Sequence, residues 1–78
     1  MAPIDRSALQ TLTPREREVL RVLGLGEGNR ALANRLGIAE RTVKAHLTSI
    51  TRKLGLRSRV EAVLVSLEWA DDLRSRAQ

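Results

Sequence analysis

A chain of 78 residues with no cysteine, 14 Lys and Arg against 9 Asp and Glu, and a net charge of +5 allows one small domain. It excludes a disulfide framework or a thiolate metal site, and with no apolar run of membrane-spanning length and no signal-peptide core, a cytoplasmic protein with no membrane partner is expected. The charge is uneven: residues 29–59 hold eight cations against Glu40 alone, a local +7, while residues 1–28 sum to zero and residues 60–78 to −2. Such a block is an electrostatic footprint for a polyanion.

Residues 1–11 show no sustained period and read as a short, partly ordered leader. At Thr13-Pro14-Arg15-Glu16 a hydroxyl N-cap, a proline at the first helical position and a glutamate able to bond back to the cap start a helix. Val19, Leu20 and Leu23 share its inner face, and Gly24, Gly26 and Gly28 end it in a loop. Asn29 is placed to cap a second, short helix that turns Leu32, Ala33 and Leu36 inward and stops at Gly37, with Ile38 anchoring the turn. The third helix spans Glu40 to Leu54, because Val43, Leu47, Ile50 and Leu54 recur at i, i+4, i+7 and i+11 before Gly55. Ser58 with Glu61 offers another capping box, opening a last helix to about Leu73 with Val60, Val63, Leu64 and Leu67 as its core face. Residues 74–78 form a frayed tail. The fold class is therefore all-α: a four-helix domain over residues 12–73 containing a central helix-turn-helix, with no strand and no internal repeat.

The third helix carries the chemistry. At 100° per residue, the side opposite its apolar stripe collects Arg41, Lys44, Ala45, Thr48, Ser49 and Arg52, none a large hydrophobe. Such a helix fits a major groove about 12 Å wide, where small or hydrogen-bonding side chains meet base edges and flanking cations meet phosphates. Lys44, Ala45 and Thr48 sit deepest. His46 lies at the boundary of the stripe, suited to a backbone or phosphate hydrogen bond. Exposed Lys, Arg, Thr and Ser singly signify only solubility; their clustering here gives them weight. The glycines before Asn29 follow no strand and so do not make a dinucleotide loop. No carboxylate pair, nucleophile-base set or metal-ligand cluster is found, so neither an enzyme nor a cofactor is expected.

The last helix bears a second apolar stripe, Ala62, Val65, Trp69 and Leu73, opposite the assigned core face. Two readings follow: the stripe packs on a second copy of the chain as a twofold dimer contact centred on Trp69, the sole aromatic residue, or the leader from Pro3 to Leu9 folds over it within the monomer.

Together, Leu12-Thr13-Pro14-Arg15-Glu16-Arg17-Glu18-Val19-Leu20, Asn29, Arg41-Thr42-Val43-Lys44-Ala45-His46 and Arg52-Lys53-Leu54-Gly55 resemble the LuxR-type helix-turn-helix over about Leu12 to Leu67. The resemblance implies a four-helix domain that binds double-stranded DNA as a homodimer through its last helix and regulates transcription, commonly as the output end of a response regulator or a quorum-sensing receptor. Position by position it implies Lys44, Ala45 and Thr48 as groove-facing residues, with Asn29, Thr42, His46 and Arg52 contacting or positioning on the backbone. Ala31, where the family often has an acid, and Ala39, where Ser or Thr usually caps the recognition helix, depart from the pattern. The rival class is a protein-interaction module that turns the same basic face to an acidic partner such as RNA polymerase or a sigma factor.

Overall fold

The computed structural model describes Ile4 and residues 6–75; expectations for residues 1–3, Asp5 and 76–78 lie outside the described residues. The described residues form six helices: α1 (Arg6–Gln10), α2 (Pro14–Leu23), α3 (Asn29–Leu36), α4 (Glu40–Leu54), α5 (Arg59–Glu68) and α6 (Ala70–Ser75). No strand occurs among the described residues, so the all-α class holds. The four expected helices correspond to α2, α3, α4 and the pair α5 and α6. The fifth boundary is at Trp69, which leaves helical geometry at φ −107° and ψ 23°.

Local chemistry sets most boundaries. Thr13 Oγ1 accepts from the Glu16 N–H and Glu16 Oε1 accepts from the Thr13 N–H, the reciprocal box that starts α2. Gly37 and Gly55 stop α3 and α4 at φ 71° and 67°, left-handed backbone that other residues adopt at a cost. In both stops the following N–H returns to a carbonyl five residues back, Ile38 to Ala33 and Leu56 to Thr51. Ser58 Oγ accepts from the Glu61 N–H as expected, but the Glu61 carboxylate accepts from the Arg57 N–H, one residue before the cap. Asn29 is not a cap. Gly28 occupies that position, and Asn29 is the first residue of α3.

The core is built around α2, which meets α3, α4, α5 and α6. Val19, Leu20 and Leu23 of α2, Leu32 of α3, and Val43 and Ile50 of α4 are all fully enclosed, each such side chain adding about 1.5 to 3 kcal/mol. Leu9 of α1 and Leu12 join them, so part of the expected leader is a packed element. It lies against α4, and Arg6 reaches Asp72 of α6 at 3.4 Å.

The last helix requires a correction. The faces are the reverse of the sequence assignment: Ala62 and Val65 of α5 and Leu73 of α6 are buried, whereas Val60, Leu64 and Leu67 are 67, 48 and 59% exposed, with Val63 half-buried. Trp69 is half-buried and packs on the core. The residues expected to form a dimer surface are therefore inside the monomer. Both stripes have helical spacing, so period does not decide between them; close approach does. Gly24, at the end of α2, leaves so little room that a Cβ there would stand 2.5 Å from Ser66 Oγ. Only the stripe with small residues, Ala62 and Ser66, lets α5 come that near.

Candidate nucleic-acid interface

Gly37, Ile38 and Ala39 join α3 to α4, the two helices of the helix-turn-helix, which pack directly on each other. Val43, Ile50 and Leu54 fix the inner side of α4, and Leu47 is half-buried beside them. The opposite side is accordingly outward: Arg41, Lys44, Ala45, Thr48 and Arg52 are all exposed. Thr48 Oγ1 donates to the Lys44 carbonyl at 3.0 Å, leaving its lone pairs and methyl group toward solvent. Thr42 and His46 are half-buried. Ala39 precedes α4 with no side-chain cap bond, as the sequence departure implied.

Lys44, Thr48 and Thr51 of α4 line an open groove together with Arg57, Arg59 and Asn29. Asn29 thus belongs near α4 for a reason other than capping. Its Oδ1 accepts from Arg59 Nη1, while Arg59 Nη2 donates to the Glu27 carbonyl at 2.9 Å. This guanidinium ties the start of α5 to the start of α3. Glu27 in turn receives Arg35 in a bidentate pair, Nε to Oε1 at 2.9 Å and Nη2 to Oε2 at 2.8 Å. Those hydrogen bonds hold the Glu27 carboxyl below the usual carboxylate range and raise the Arg35 guanidinium.

Ser49 is half-buried and turned to the protein. Its hydroxyl donates to Glu16 Oε2 at 2.6 Å, and Lys53 Nζ donates to Glu16 Oε1 at 2.8 Å. Glu16 itself is 5% exposed. Burial opposes its charge, but the hydrogen bonds from Lys53, Ser49 and the Thr13 N–H, with the Lys53 charge, outweigh that and bring its pKa to about 2.

Sequence reasoning assigned no role to Thr51, Arg57 or Arg59. The wheel carried the signal for Thr51, three residues beyond Thr48 on the same flank. Arg57 and Arg59 entered only as part of the local charge, because their position beside Lys44 depends on how α5 returns past α4. Among the described residues no group of three possible metal ligands occurs, and no helix is long and apolar enough to cross a membrane.

The same region carries the likeness to known proteins. Residues 10–66 match the pattern of the bacterial regulatory proteins, luxR family. The nitrate/nitrite response regulator protein NarL of Escherichia coli K12 is 47% identical over 53 residues, 68% of this chain and 24% of that protein. The transcriptional regulatory protein YdfI of Bacillus subtilis is 47% identical over 57 residues, 73% of this chain and 27% of its own. The nitrate/nitrite response regulator protein NarP of E. coli K12 is 41% identical over 64 residues, 82% and 30% of the two chains. This chain thus spans about a quarter of the length of such relatives. With more than half of its residues inside the family pattern and its helix-turn-helix at the centre of the match, the chain belongs to the luxR family of bacterial regulatory proteins.

Proposed function

We propose that the chain is a sequence-specific reader of double-stranded DNA in transcriptional regulation, with α4 docked in the major groove. The carrying observation is the outward face of α4: Arg41, Lys44, Ala45, Thr48 and Arg52 are exposed on the second helix of a helix-turn-helix, and no bulky apolar side chain stands among them. Lys44, Ala45 and Thr48 meet base edges; Lys44 donates, Thr48 accepts, and Ala45 offers a methyl contact. Arg41, Thr42, His46 and Arg52 meet or orient toward the phosphates, joined by Thr51, Arg57 and Arg59 of the adjoining groove. Asn29 holds Arg59, and Ser49 acts from the protein side through Glu16. The relatives' names, as response or transcriptional regulators, support the same reading.

The domain works as a dimer through α5, on the face opposite to the one first expected. Val60, Leu64 and Leu67 are exposed at i, i+4 and i+7, a stripe that a second copy can cover about a twofold axis. Two-fold related reading helices select an inverted repeat whose half-sites lie about one helical turn apart.

The test is selection from random duplexes at two salt concentrations. A palindromic motif enriched at both supports the reading; salt-sensitive binding without enrichment, or no binding, refutes it and leaves the basic face for an acidic protein partner. On the enriched duplex, Lys44→Ala should lose about 1 to 3 kcal/mol, mostly at one base pair.

A further inference from the structure

Apolar packing sets which side of α4 faces α2, but it resists small changes of roll and axial position only weakly, because burial is non-directional. A reading helix whose side chains must meet base edges needs its roll and its axial position set to within a fraction of an ångström. The directional contacts of α4 with α2 converge on Glu16. Ser49 reaches one carboxylate oxygen at 2.6 Å and Lys53, one turn later, reaches the other at 2.8 Å. The carboxylate is itself fixed, since Oε1 also accepts from the Thr13 N–H at 2.9 Å within the capping box. Two contacts a turn apart on one rigid anchor define both rotation and translation. Lys53 Nζ further donates to the Thr11 carbonyl at 3.3 Å, so its ammonium is committed to the protein.

We propose that Glu16 is the positioning residue of the reading face, setting the roll of α4 through Ser49 and Lys53, and that Lys53 acts through Glu16 rather than on phosphate. The inference rests on the DNA-reading function proposed above. It assigns Lys53 a role distinct from that of its neighbour Arg52, which is exposed and faces outward.

The experiment compares wild type, Lys53→Met, Glu16→Gln and the double variant on the selected duplex and on a scrambled one, each over a range of salt. Lys53→Met should weaken the selected complex about tenfold, leave the scrambled complex unchanged, and leave the salt slope unaltered. Glu16→Gln should act in the same direction, and the double variant should lose no more than the worse single one. Leu73→Ala, a core change in α6, serves as the stability control and should leave the ratio between duplexes intact below its melting temperature. If Glu16→Gln does not fold, as read by circular dichroism, Lys53→Met carries the test. The proposal is overturned if Lys53→Met weakens both duplexes alike and flattens the salt slope by about 0.9, the signature of one lost phosphate contact. It is also overturned if the variants bind like wild type, or if Leu73→Ala shifts the ratio as much. A wild-type protein that prefers no duplex refutes the DNA-reading function first, and this inference with it.

Discussion

Two helices of this molecule present apolar residues at helical spacing, and they differ in how much that spacing reveals. On α4 a single stripe is apolar, so its period fixes the inner face and leaves the polar side outward. On α5 both sides are apolar, and Val60, Leu64 and Leu67 are left in solvent while Ala62 and Val65 are buried. Hydrophobicity alone would bury them. What wins is proximity: Ser66 admits the end of α2 at Gly24, and the side of α5 that carries it also buries Ala62 and Val65. A helix with one stripe is oriented by transfer from water, whereas a helix with two is oriented by the shape of its neighbour.

The largest test of this contrast places a carboxylate on each of the two stripes of α5 in turn. Val65→Asp buries an unpaired carboxylate and should cost more than about 3 kcal/mol, enough to unfold much of so small a domain, as followed by thermal melting. Leu64→Asp should leave the monomer folded and move only the sedimentation or light-scattering mass. Equal melting of both variants would show that the exposed stripe is structural.

The second test concerns the directional anchor that α4 has in Glu16. A carboxyl with a folded pKa of about 2 and an ordinary unfolded one stabilises the fold above the unfolded value. That contribution, about 3 kcal/mol, is lost as pH falls from about 4.5 toward 2. Denaturant melts across this window should therefore show a steep decline in wild type and a flatter one in Glu16→Gln. Parallel curves would mean the network adds no such stability.

Third, Gly24→Ala should destabilise by about 1 to 2 kcal/mol through the clash with Ser66 Oγ, and Ser66→Ala should remove that cost, since the remaining neighbours of the added Cβ stand at 3.4 Å. Additive losses in the double variant would place the tightness elsewhere.

The smallest effect is expected at the start of α4. Ala39→Ser supplies the absent N-cap bond and should add about 0.5 to 1 kcal/mol to stability in denaturant titration. A loss there would show that the turn does not admit the cap geometry.

Much of this was legible in the sequence. The Thr13 to Glu16 box, the stops at Gly37 and Gly55 and the stripe from Val43 to Leu54 are each decided within a few residues, and each stands as expected. The outward placement of Lys44, Ala45 and Thr48 follows from that stripe. What was hidden depends on partners distant in the chain. Asn29 has the chemistry of a cap, yet Arg59, thirty residues on, takes its side-chain oxygen. Ser49 sits on the polar side of the wheel, yet the carboxylate it bonds lies on α2. The α1 helix is too short to show a period and exists because Leu9 and Leu12 find the core. Trp69 is the sole aromatic residue and marks the break between α5 and α6, where a spacing argument that runs one helix through to Leu73 sees no interruption.

The contact between Gly24 and Ser66 also governs how this domain can change. Alanine is ordinarily preferred to glycine in right-handed backbone such as that of Gly24, at φ −62° and ψ −13°. Here that gain is locked behind a hydroxyl on another helix. The two substitutions lead to one double variant by two routes: shortening Ser66 first opens the space, while filling Gly24 first passes through a weakened protein. Stepwise change is therefore directional at this site, with α5 moving before α2.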